Sequence, residues 1–145
     1  MRIVLVTGVL VRANAKSTGP ARQVLAILDG AHELLISAFL LDETARVFRY
    51  PRLLARNGLS DREMEEHVDY LRRISSLVDV VVKEPVVLSD PDDDPVVYTA
   101  VDGRADVLCT RDRHLFQPGV IAFCRAHGVR VMNDLESLLR LRPRQ

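Results

Sequence analysis

Tryptophan is absent from this chain of 145 residues, aromatic residues make up only 5%, and cysteine occurs twice. Few aromatics leave little on which nucleic-acid bases could stack, which argues against sequence-specific reading of a single strand. Cys109 and Cys124 are too few for a disulfide framework, so the chain reads as reduced and cytoplasmic. Net charge is missing as well: 20 Lys and Arg offset 20 Asp and Glu. No global field draws in nucleic acid, and any such contact must rest on a local patch. The longest apolar run, Ile3 to Val11, is broken by Thr7 and Gly8 and is too short to span a bilayer, so no membrane partner is expected. Arg2 ahead of it resembles a signal-peptide start, but no small-residue cleavage site follows. Neither a repeat nor a long linker divides the chain. Its length suits one domain, residues 1–145, whose core needs neither a disulfide nor a structural metal.

Phosphate-cradling motifs are missing too. Ala15-Lys16-Ser17 resembles the end of a P-loop, but Leu10 and Ala15 stand where that pattern needs glycine, and no G-x-G-x-x-G is present. Cys109, His114, Cys124 and His127 fit no zinc-finger spacing.

What is present is an alternation of strands and helices. Ile3 to Val6 is a β-branched run suited to a strand covered on both faces. A loop is expected through Gly8 to Pro20, then a helix carrying Val24, Leu25, Ile27 and Leu28, stopped by Gly30. Leu34 to Ile36 predicts a strand, and Phe39, Leu40, Val47 and Phe48 a helix reaching Tyr50. Ser60-Asp61-Arg62-Glu63 is a capping box that opens a helix over Ser60–Leu77, whose apolar stripe is a candidate dimer surface. Val80 to Val82 and Val86 to Leu88 read as strand material, and Asp94-Pro95 opens a helix through Val101. Val107 to Cys109 is a further buried strand. Val120 to His127 reads as a helix, Val129 to Met132 as a strand, and Asn133 with Glu136 caps a last helix. The implied class is α/β, a mostly parallel sheet with helices on both faces.

Ligands of such folds bind beyond the carboxyl ends of the strands. There the chain places Thr7, then Asp42 and Glu43, then Ser89 to Asp94, then Thr110-Arg111-Asp112. Carboxylates delivered from separate strands to one edge repel each other unless a cation compensates. Hard oxygen ligands suit Mg²⁺ or Mn²⁺, ions that serve phosphoryl chemistry. His114 lies two residues beyond Asp112. Asp92 and Asp94 also suit the capping of the helix that follows. Arginine dominates the cations, since only Lys16 and Lys83 are lysines. Arg12, Lys16, Arg111 and Arg113 fall in loops that approach the acidic edge and suit an RNA backbone. Arg46, Arg49, Arg52 and Arg56 form a further basic stretch that reads as solvated surface.

Leu5-Val6-Thr7-Gly8-Val9-Leu10-Val11 resembles the L-D-T-N-V-L-V opening of PIN-domain proteins. Leu40-Leu41-Asp42-Glu43 resembles their conserved-acid helix. Asp90 to Pro95 and Ala105 to Asp112 are similar to the D-P-D-D-x-P and A-D-x-L-x-T-x-D segments of a subgroup labelled as toxin components of toxin–antitoxin systems. The resemblance implies a three-layer α/β/α sandwich and a Mg²⁺- or Mn²⁺-dependent endoribonuclease. It implies Glu43, Asp93 and Asp112 as metal-holding, catalytic carboxylates, with Thr7 and Thr110 beside the pocket. Expected partners are RNA, an antitoxin protein and a second copy of the chain. The chain departs from the pattern at Val6, where the family has aspartate, at Gly8, where it has asparagine, and at His114, where it has a second acid. Three acids then remain to hold the ion more weakly, with His114 as a nitrogen ligand better suited to Mn²⁺. The alternative this raises is a catalytically inactive PIN-fold module that binds RNA or protein; a third is a chain whose role is pairing, such as an antitoxin.

Overall fold

The computed structural model describes residues 1–28 and 30–143. The elements run β1 (Arg2–Leu5), α1 (Thr7–Arg12), α2 (Pro20–Ile27), β2 (Glu33–Ile36), α3 (Ala38–Phe48), α4 (Pro51–Asn57), α5 (Asp61–Ile74), β3 (Ser75–Leu77), α6 (Asp94–Asp102), β4 (Val107–Cys109), α7 (Pro118–Ala126), β5 (Arg130–Met132) and α8 (Asp134–Leu141). Short 3₁₀ turns at Pro91–Asp93 and Arg113–Phe116 flank α6 and follow β4.

The strands form one wholly parallel sheet in the order β3-β2-β1-β4-β5. Ile3, Val4 and Leu5 of β1, Leu34 to Ile36 of β2 and Val107 to Cys109 of β4 are all buried, as a sheet covered on both faces requires. Each such aliphatic side chain contributes about 1.5–3 kcal/mol by leaving water. The helices complete a three-layer α/β/α sandwich. Among the described residues no helix is long and apolar enough to cross a membrane.

Local chemistry sets the helix ends. Ser60 and Glu63 exchange the two hydrogen bonds of a capping box on α5, and Asn133 and Glu136 do the same on α8. Ser37 accepts from the Leu40 amide at the head of α3. Gly103 ends α6 against β2 so closely that a Cβ would lie 2.8 Å from the Thr99 carbonyl oxygen and 2.9 Å from Leu35. A side chain there would force the helix off the sheet.

Three segments differ from the sequence expectation. The expected loop after Gly8 begins instead with α1, whose Thr7, Val9, Leu10 and Val11 are all buried. A helix covered on every side shows no apolar stripe, which hides its period. The helix opened by Ser60 stops at Ile74, and Ser75 to Leu77 pair with β2 as β3. Most of its stripe faces the core: Met64 and Leu71 are buried and Val68 packs against the cluster of Val11, Phe48, Leu59 and Met64, while Ile74 stays 38% exposed. His67, also buried, binds the Leu10 carbonyl through Nε2 at 2.9 Å and meets Phe48 edge-on, fastening α5 to α1 and α3. Finally, Val80 to Val82 and Val86 to Leu88 are not strands. Asp102 accepts the amides of Val81 (2.6 Å) and Val82 (3.0 Å), and Asp94 those of Val86 (3.1 Å) and Val87 (2.7 Å). Carboxylates take the donors that a ladder would have used.

Candidate metal centre

The strand order reverses direction between β1 and β4, and such a switch point opens a crevice at the carboxyl ends. Val6 and Thr7 leave β1 on one side of it, and Thr110 to Asp112 leave β4 on the other. The turn Asp90 to Asp93 arrives from the start of α6, and Glu43 from the second turn of α3.

On the β4 side, Asp90, Asp93 and Asp112 each offer a carboxylate oxygen within 4.8 Å of the others. Asp112 is held firmly: its amide donates to the Thr110 hydroxyl at 2.9 Å, and its Oδ1 accepts from the His114 amide at 2.9 Å. Asp93 Oδ2 is buried with no hydrogen-bond partner. Burial, the approach of the Asp112 carboxyl, and the negative charge of Asp112, Asp90 and Glu43 push Asp93 up to about 7. A buried carboxylate oxygen without a donor, among like charges, is the arrangement a cation relieves. The all-oxygen set fits a hard divalent ion.

On the β1 side, the Thr7 hydroxyl donates to Glu43 Oε1, and Arg46 lies 3.9 Å from the other oxygen of that carboxylate. Glu43 thus faces the cluster, adding to the field on Asp93, without joining its tightest group. Val6, 8% exposed, contributes only an apolar side chain.

The remaining residues expected at the edge divide. Asp94 is spent on the Val86 and Val87 amides, and Asp92 is exposed to solvent. His114 turns its ring to the Ser89 hydroxyl, Nδ1 to Oγ 2.8 Å. Arg12 and Arg111 converge on Asp134, whose carboxylate is 2% exposed: Arg111 Nε donates to Oδ1 at 2.8 Å, and Arg12 Nη2 lies 3.7 Å from Oδ2. Lys16 reaches Gly58 O (2.8 Å) and Glu63 (3.5 Å), and Arg113 is exposed. The four zinc candidates do not assemble: Cys109 and Cys124 are buried apart from the acidic group, and His127 bonds Phe123 O of its own helix. Burial pushes both thiols up to about 11, which leaves them unreactive. The strand-end reading placed Asp90 at this edge but gave it no ligand role, and it passed over Asp134. The acidic run after Leu88 contained the signal for the first, and nothing local marks the second.

A family model for the PIN domain matches residues 2–114. The chain belongs to the PIN-domain family. No curated protein matches it. The match covers β1 through Asp112 and so includes every member of the acidic group. PIN domains have a nuclease-type fold and generally depend on divalent metal, which agrees with the carboxylate set of this one. α7, β5 and α8, with Asp134, lie beyond the match.

Proposed function

We propose that this PIN domain is a Mg²⁺- or Mn²⁺-dependent endoribonuclease, serving as the toxin of a toxin–antitoxin pair. The observation that supports it most is the unpartnered, buried Asp93 oxygen among Asp90, Asp112 and Glu43. Asp93, Asp112 and Glu43 would hold the ion, with Asp90 as a further carboxylate. When bound, the ion supplies charge neutralisation and an activated water for phosphodiester hydrolysis. Thr7 orients Glu43, and Thr110 with the His114 amide fixes Asp112. Arg12, Lys16, Arg111 and Arg113 position the RNA backbone by its phosphates. An antitoxin protein and a second copy of the chain are the further partners of this reading, and the cytoplasm its location.

Val6 favours a second reading, a PIN-fold module that binds RNA or protein without cutting. An apolar side chain at the end of β1 withholds the ligand that aspartate would provide there. The readings separate in one assay: cleavage of a fluorogenic RNA with Mn²⁺, Mg²⁺ or chelator, for the chain and for its Val6→Asp, Gly8→Asn variant. Metal-dependent cleavage by the unaltered chain supports the nuclease. Cleavage by the restored variant alone supports the binding module.

A further inference from the structure

The turn joining α1 to α2 and the end of α4 enclose a cleft of about 260 Å³, lined by Arg12, Asn14, Lys16, Ser17, Arg56 and Asn57. Of these, Arg12, Lys16 and Arg56 are cationic and none is acidic. Its wall is built rather than incidental. Asn14, 4% exposed, donates from Nδ2 to Val11 O (2.9 Å) and accepts the Lys16 amide on Oδ1 (3.0 Å), so both ends of the amide shape the turn. Ser17 Oγ accepts from the Gly19 amide at 3.3 Å, which leaves its hydroxyl hydrogen free. Arg56 makes no ion pair among the described residues.

Two further observations point to an anionic ligand. Asn57 Nδ2 is a buried donor with no partner, a state that native structures rarely leave unanswered. Arg12 extends the positive charge of the cleft towards the carboxyl end of β1: its Nη1 lies 3.5 Å from where a Cβ of Gly8 would stand, one residue from Thr7. Asp134 Oδ2 lies 3.7 Å from Nη2 of the same guanidinium. No aromatic ring lines the cleft, so it suits a phosphate rather than a base.

We propose that the cleft binds a phosphodiester of an RNA strand, at a neighbour of the phosphate that lies against the acidic cluster. This subsite rests on the nuclease reading for its strand but not for its affinity, so binding tests it without cleavage. The experiment is fluorescence anisotropy of a labelled single-stranded RNA oligonucleotide with the full chain in EDTA, over a series of KCl concentrations. Arg56→Ala should flatten the log–log salt dependence by about 0.7, the share of one phosphate contact on a single strand. Asn57→Asp, which replaces the free donor with a negative charge, should weaken binding about tenfold at low salt. Arg125→Ala, the same charge removal on the exposed face of α7, should leave the slope unchanged. Wild-type slope and affinity in both cleft variants would overturn the subsite. So would equal losses in all three variants, which would indicate general charge alone. Asn57→Asp is used only if its melting temperature matches the parent; otherwise Arg56→Ala decides. Inorganic phosphate forms the second arm. Displacement of RNA by it together with an altered slope in Arg56→Ala supports the strand site, whereas phosphate-induced shifts of the Asn57 side-chain amide signals with an unaltered RNA slope would assign the cleft to a free anion and overturn it. If the cleft variants lose RNA while the parent never cleaves with Mn²⁺, the nuclease reading falls and the subsite stands.

Discussion

The carboxyl ends of β1 and β4 lie side by side at the centre of the sheet and present opposite chemistry. From β4 and the turn before α6 come three carboxylates within 4.8 Å of one another, one with an oxygen that nothing satisfies. From β1 come Val6, a threonine already bonded to Glu43, and a glycine. Charge repulsion is therefore concentrated on the β4 side, with Glu43 adding to it from across the crevice. A cation would relieve the repulsion among these acids, even where the opposite wall provides little. The β1 side carries positive charge as well: Arg12 Nη1 lies 3.5 Å from where a Cβ of Gly8 would stand.

The largest expected effect comes from disarming the β4 side. Asp93→Asn or Asp112→Asn should abolish metal-dependent RNA cleavage, a loss beyond the roughly 100-fold typical of residues that only support ligands. Cleavage unchanged in both variants would remove the site. Rebuilding the β1 side with Val6→Asp and Gly8→Asn should raise Mn²⁺ affinity by about ten- to a hundredfold, measured by calorimetry, if the missing aspartate is what separates the two walls. A smaller effect is expected of Thr7→Val, which removes the donor to Glu43: about tenfold in metal affinity, with the melting temperature near that of the parent.

The smallest effect is one of pH. Asp93 in the folded chain binds its proton up to about pH 7, whereas the unfolded chain releases it near 4. The folded state thus holds the extra proton between those values. The contribution of this group to stability is full below about pH 4, declines as pH rises towards 7, and is flat above. Thermal melts in chelator should show that decline, and Asp93→Asn should flatten it. A parent that gains stability relative to Asp93→Asn over the same interval would contradict the burial and repulsion assigned to Asp93. His67 runs the other way. Burial lowers its pKa, so its contribution is lost as pH falls below the ordinary histidine range, and the two trends together shape the acid limb.

The edge that carries the candidate site was legible because strand ends are easy to find in a parallel sheet. Val107 to Cys109 could hardly be anything but a buried strand, and Asp112 follows from it. Glu43 and Asp93 followed in the same way and from the family likeness. Asp90 was placed at the edge but not among the ligands, because the family likeness assigned those roles to Glu43, Asp93 and Asp112. The helix α1 was lost because Val9 and Val11 extend a β-branched run in which Thr7 starts a helix only through tertiary cover. Val80 to Leu88 was misread for the opposite reason: its composition is that of a strand, but Asp94 and Asp102 capture its amides from more distant positions. Asp134 could not be found at all, since a buried acid is recognisable only by what it meets.

The pairing of β5 with β4 has a consequence for any shortened form of the protein. A chain cut after His114, where the family match ends, would keep the whole acidic cluster. It would also strip β4 of the partner that Arg130, Val131 and Met132 provide. The bared strand, Val107-Leu108-Cys109, has no charge or proline to discourage pairing with another molecule. Such a fragment should self-associate before any loss of metal affinity could be measured, and in that sense the last 31 residues act as a guard against aggregation.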